Sequence, residues 1–148
     1  MTSVHDVAAY ILRQSAPMTT MKLQKLCYYS QGWSLAWDGL PLFPETFRAW
    51  ANGPVCYELF DTHRGRFQVS EWPSGNPDRL TEDQRETVDA VLASYGKLTG
   101  QQLSDKTHGE RPWVETRDGL ADGAGSSREI SMDLMQEFFG GLTEAEAV

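Results

Sequence analysis

The sequence predicts a mainly α fold, a compact single-domain helical bundle with a small β element near residues 46–51 and 66–70. Three observations lead there. Apolar residues recur at helical spacing in several segments, cap and stop residues sit at the ends of those segments, and only two short stretches alternate as strands do. At 148 residues the chain suits one domain, long enough to bury roughly 68–70% of its unfolded surface. The domain is expected over residues 1–141, with a flexible tail over 142–148.

The elements follow in order. Val4, Val7, Ala8, Ile11 and Leu12 lie on one face of a first helix, with Ser3 as its cap and Asp6 placed as in a capping box. Thr19 or Thr20 caps a second helix, whose apolar positions Leu23, Leu26, Cys27, Ser30, Trp33, Ser34 and Trp37 keep the period until Asp38-Gly39. At about 1.5 Å per residue it is roughly 28 Å long. Phe47, Ala49 and Ala51 alternate with Arg48 and Trp50 as in a short strand. Asn52-Gly53 then allows a reversal, and Pro54 fits the first position of a helix through Val55, Leu59 and Phe60. A further short strand falls within the segment 63–72, and 73–80 is a loop rich in Pro, Gly and Asn. "TEDQ" at 81–84 is a capping box opening a helix through Val88, Val91, Leu92 and Tyr95. Thr99 opens another short helix, and a helical turn follows Pro112. Residues 120–129 lose all periodicity and predict a mobile loop. Ile130 and Met135 flank Ser131 as in a hydrophobic staple, starting a last helix that is expected to end at Gly140-Gly141.

Charge narrows the partners. The formal net charge is -8, and all of it belongs to residues 75–148, which hold seven Lys/Arg against fifteen Asp/Glu; residues 1–74 balance at six and six. Such a chain repels nucleic-acid phosphates and suits a basic partner or plain solubility. Two cysteines, Cys27 and Cys56, make no disulfide framework. The opening residues lack the basic n-region of a signal peptide, and no apolar run approaches the roughly 20 residues that span a bilayer, so the expectation is a cytoplasmic protein with no membrane partner.

Catalytic chemistry is not assembled locally. Cys27, Cys56, His63 and His108 have no ligand spacing, so no metal and no cofactor is expected. Cys27 reads as a small hydrophobe on the second helix. Ser104 and His108 stand at i and i+4 before Gly109, so the imidazole either caps that helix or meets a ligand or partner. Trp113 is either a packed aromatic or an interface anchor. "HRGR" at 63–66 is a lone basic knot, read as a solvated turn. On the second helix, Lys22, Lys25 and Tyr29 fall away from the apolar stripe, where they are expected to project beside solvent.

Three ordered blocks carry a family resemblance: "MKLQKLCYYSQGW", "PLFPETFRAWANGPV" and "LSDKTHGERPW". The matching positions include Met21 to Leu26, Tyr28, Tyr29, Gln31, Gly32 and Trp33; Leu42, Phe43, Phe47, Ala49, Trp50, Gly53, Pro54 and Val55; and Leu103, Ser104, Thr107, His108, Pro112 and Trp113. Together they resemble the Panacea domain, the family of phage-associated and SocA-type antitoxins, over roughly residues 5–140. The resemblance implies a mostly helical domain of a toxin–antitoxin system that binds and neutralises a cognate protein toxin, in some members as a proteolytic adaptor presenting it to ClpX of the ClpXP protease. The contact residues chosen for that role are Lys22, Lys25, Tyr29, Trp50, Asn52 and Gly53, with His108 and Trp113 as a second cluster. An enzyme using His108 as general base and a nucleic-acid-binding autorepressor are the alternatives.

Overall fold

The second helix organises the molecule. In the structure, a computed structural model that describes residues 1–121 and 123–147, helix α2 (Thr20–Asp38) is buried without a break from Leu23 to Leu35. Around it stand α1 (Val4–Ser15), α3 (Tyr57–His63), α4 (Glu82–Tyr95), α5 (Gly100–His108), α6 (Arg111–Arg117) and α7 (Met132–Ala147). The expected mainly α fold with a small β component is what forms.

Local chemistry sets the helix ends. Ser3 and Asp6 form the capping box of α1, Thr81 and Gln84 that of α4, and Thr99 and Gln102 that of α5. Thr19 caps α2, and Gly39 ends it in the left-handed conformation at φ 68°. The Ser131 hydroxyl accepts from the Leu134 N–H at the start of α7.

The strands form two small sheets. Strands β1 (Met18–Thr19) and β4 (Gln68–Val69) pair antiparallel, Met18 opposite Val69. Strand β2 (Phe47–Trp50) lies between β3 (Gly53–Val55) and β5 (Glu129–Ile130), with Trp50 opposite Gly53 and Phe47 opposite Ile130. The two stretches expected as strands are therefore strands, in different sheets.

Three expectations are corrected. Pro54 lies in β3 and not at the head of a helix; β3 is an edge strand, where a residue without an N–H is tolerated, and α3 starts at Tyr57. Part of the aperiodic segment pairs as β5, because β2 offers it an open edge. Helix α7 runs past Gly140-Gly141 to Ala147, since glycine in a helix costs only about 1 kcal/mol and packing overrides it. Val148, the end of the expected tail, lies outside the described residues.

Helix α7 lies directly on α2, and an aromatic cluster fills the contact. Phe139 meets Tyr28, Tyr29 and Trp33 with ring centroids 6.0, 5.9 and 5.2 Å apart. The approach depends on Gly32, where a Cβ would lie 2.1 Å from Phe139 Cε2. Gly32→Ala is expected to lower stability by about 1–3 kcal/mol despite alanine's better helix propensity, read as a drop in the urea midpoint. An unchanged midpoint would mean that the α2–α7 contact is not held this closely.

Candidate functional site

A surface cavity of about 490 Å³ opens where α2 begins, bounded by Thr20, Met21, Gln24 and Lys25 of α2, by the β2–β3 hairpin, by Phe60 and His63 of α3, and by Gly125 to Ser127. That volume suits a small ligand or an inserted side chain. Among the described residues no Asp or Glu lines it.

The wall is fixed by hydrogen bonds from α2. Gln24 accepts the Cys56 N–H at Oε1 (2.9 Å) and donates from Nε2 to the Cys56 carbonyl (3.1 Å) and to His63 Nε2 (3.0 Å). His63 therefore accepts at Nε2 and carries its proton on Nδ1. Trp50 packs edge-on to Phe60 at 5.0 Å. Its carbonyl accepts the Trp113 indole N–H at 2.8 Å, and the Asn52 carbonyl accepts from the Ser104 hydroxyl. Gly53 holds φ at 108°, and a Cβ there would strike Lys25 Cε at 2.7 Å and Thr107 Oγ1 at 2.8 Å. The turn and the seat of Lys25 thus need the same glycine.

The expected contact residues divide accordingly. Lys25, Trp50 and Asn52 line the cavity, Gly53 packs behind Lys25, and Trp113 braces Trp50. Lys22, Tyr29 and His108 are not in its wall. The expectation of a Lys22/Lys25/Tyr29 margin beside solvent is corrected: Lys25 is 1% exposed and Tyr29 fully buried. Lys22 is half-buried and donates from Nζ to the Gly96 carbonyl at the end of α4, 2.7 Å away. The Tyr29 hydroxyl donates to Glu110 Oε1 at 2.8 Å, and its ring stacks on Tyr95 at 4.3 Å. His108 stacks on Trp113 at 4.2 Å.

Other site residues carried no motif. Gln24, His63, Phe60 and Met21 escaped the sequence reading, although Met21 and Gln24 stand in the first family-like block and His63 in the basic knot. Arg117 also escaped it; its buried guanidinium donates to the carbonyls of Ala49 (2.8 Å), Ala121 (2.8 Å) and Ala124, tying the segment before β5 to β2.

A model of the family described as "Antitoxin SocA-like, Panacea domain" matches residues 23–114, more than half of the chain. The chain belongs to this family. Antitoxin SocA of Caulobacter vibrioides (strain NA1000 / CB15N) is 30% identical over 130 residues, covering 78% of this chain. The match spans 66% of that relative, just under two thirds of its length. No solved structure matches. The matched part of this Panacea domain holds most of the cavity wall; Thr20, Met21 and Gly125 to Ser127 lie outside it.

Electrostatics single out Lys25 within the Panacea domain. Among the described residues its ammonium has neither a hydrogen bond nor an ion pair, and burial pulls its pKa down from 10.5 to about 7. Burial, with the Lys25 charge adding to it, also lowers the pKa of His63. The Cys56 thiol is pushed up to about 12 by burial and points to Glu58 at 3.5 Å, so Cys56 and His63 form no nucleophile–base pair. Among the described residues no three of His, Cys, Asp or Glu gather as metal ligands, and no helix is long and apolar enough to cross a membrane.

The lysine gives a signed pH dependence. Between about pH 7 and 10.5 the unfolded chain holds the Lys25 proton and the folded chain does not, so raising the pH favours folding by about 1.4 kcal/mol per unit. Above about pH 9 the sign reverses, because buried Cys27 and Cys56 each keep a proton that the unfolded thiols lose, which together outweigh the Lys25 contribution, and Tyr28 and Tyr29 follow. Lys25→Met is therefore expected to be more stable than the parent at pH 7 and to lose the rise between pH 7 and 9. Tyr29→Phe is expected to cost about 1–3 kcal/mol by leaving Glu110 without its donor. Urea midpoints at pH 6, 7, 8 and 9 check both; a parent-like pH profile in Lys25→Met would show that Lys25 is not buried as a bare charge.

Proposed function

We propose that this protein is the antitoxin of a toxin–antitoxin pair, a single domain over residues 1–141 that acts in the cytoplasm and neutralises a cognate protein toxin by direct contact. The observation that carries the reading is an antitoxin-family chain whose buried Lys25, without a partner among the described residues, lies in the wall of a cavity that no described carboxylate lines. The toxin is captured on the face around that cavity. The surroundings suit a protein partner. Phe67 is 79% exposed, and its carbonyl accepts the N–H of Thr20 at the cavity wall. Tyr57, 37% exposed, packs against Phe60 at 6.2 Å. Aromatic side chains grouped at a cavity mouth are typical interface anchors. In an adaptor form of the same reading, the captured toxin is passed to ClpX of the ClpXP protease.

Co-expression with the protein encoded beside this chain, in cells with and without ClpXP, tests the reading. Rescue with a stable complex in both strains means capture; rescue only with ClpXP, with the neighbour's half-life shortened, means the adaptor form. Asn52→Arg, which fills the cavity mouth, is expected to reduce rescue at least tenfold in plating efficiency, whereas Leu40→Ser, at an exposed residue outside that wall, keeps it. Full rescue by folded Asn52→Arg would move the contact to another face, and absence of rescue by the parent chain would remove the antitoxin reading.

A further inference from the structure

Within the buried run of α2, where the Tyr28 and Ser30 hydroxyls also lack a hydrogen-bond partner among the described residues, Lys25 is the one side chain that can carry a charge. Gln24 and Gln31 each satisfy both a donor and an acceptor of a neighbouring backbone segment, Gln31 with the Leu42 N–H at 2.7 Å and the Phe43 carbonyl at 2.8 Å. Lys25, equally buried, satisfies nothing among the described residues, although it forms part of a cavity wall that is open to the surface. A buried charge without a counter-ion is among the least stable arrangements a side chain can adopt, and the arrangement improves as soon as an anion reaches it.

We infer that the cavity is a receptor for a carboxylate of the partner protein, which enters beside the packed Trp50–Phe60 pair and becomes the counter-ion of Lys25. The partner's identity rests on the antitoxin reading; the chemistry of the cavity does not. Four features select this ligand. Thr20 and Met21 place the first turn of α2, the positive end of a 19-residue helix, in the same wall. Among the described residues the wall carries no acid to repel an anion. Two arginines stand over aromatic rings beside the cavity, Arg64 over Phe60 at 5.0 Å and Arg48 over Tyr57 at 5.2 Å. Glu58 and Asp61 are the acids nearby on α3, and both are engaged, by Cys56 and Arg64. Finally, one ammonium flanked by apolar and aromatic side chains matches a single negative charge carried beside apolar groups. A phosphate would call for a second permanent cation, which the described residues of this wall lack.

The test uses the full chain and reads Lys25 directly. Its amine is labelled with trinitrobenzenesulfonate at pH 8, alone and with millimolar acetyl-Phe-Glu-Phe-amide or acetyl-Phe-Gln-Phe-amide, and the labelled site is followed by mass spectrometry. The Glu peptide is expected to slow labelling of Lys25 at least threefold and the Gln peptide to leave it unchanged; equal behaviour of the two peptides overturns the inference. In parallel, binding of the neighbouring toxin is measured for the parent and for Lys25→Met, with at least a tenfold loss expected. Toxin variants with single Asp→Asn or Glu→Gln changes, or with an extended C-terminus, locate the carboxylate on a side chain or at the chain end. Parent-like binding by Lys25→Met also overturns the inference. If the parent chain binds no neighbouring protein, the antitoxin reading fails while the two peptides still decide the nature of the cavity.

Discussion

The enclosure of α2 is the constraint on which the remaining structure depends. A helix with thirteen consecutive buried residues has no wet face on which to place its polar side chains. Gln24, Gln31 and Ser34 find their partners on backbone groups of segments that are neither helix nor sheet. Gln24 holds Cys56, Gln31 holds Leu42 and Phe43, and Ser34 donates to the Leu40 carbonyl at 2.7 Å. Irregular backbone can be buried only when its N–H and C=O groups are satisfied, so these side chains are what let the segments after α2 and after the hairpin lie against the core.

Arg117 plays the same part on the opposite side of the hairpin. Its guanidinium gathers carbonyls from β2 and from the segment that follows α6, and it lies over Trp113 at 4.7 Å. The Arg117 carbonyl in turn accepts from Arg128 at 2.8 Å. That chain of contacts delivers Gly125 to Ser127 to the cavity wall and lets the Arg128 carbonyl accept the Ala49 N–H at 2.9 Å, next to the β2–β5 pairing. Two buried polar hubs, one on α2 and one on α6, therefore fix the two halves of the cavity.

What was legible in the sequence was local. Ser3 with Asp6, Thr81 with Gln84, Thr99 with Gln102, and Gly39 after Asp38 each act within one helical turn, so the residues alone locate the helix ends. What was not legible depends on several elements meeting. The wheel of α2 assigned Lys25 and Tyr29 to a solvent margin because periodicity presumes one wet side, and only the assembly of α4, α5, α7 and the hairpin removes it. Pro54 reads as a helix start until a strand is present for it to border. Of the site, Met21, Gln24, Lys25, Trp50 and Asn52 stood in recognisable blocks, whereas Phe60 and His63 join the wall through tertiary contacts that no spacing encodes.

The enclosure also explains why a lysine at this position is informative. Gln24, Tyr29, Gln31 and Ser34 repay their burial with hydrogen bonds within the free protein, so their presence is accounted for by the fold. Lys25 does not, and an apolar side chain of the same length would fill its seat beside Gly53 and Thr107 at lower cost. The free domain thus carries an amine without a counter-ion in the wall of an open cavity. Local conflicts of this kind are where stability and function are traded against each other. A site that is unfavourable when empty favours whatever neutralises it, and its preference for a charged ligand over a neutral one of the same shape comes from that imbalance, not from added contact area.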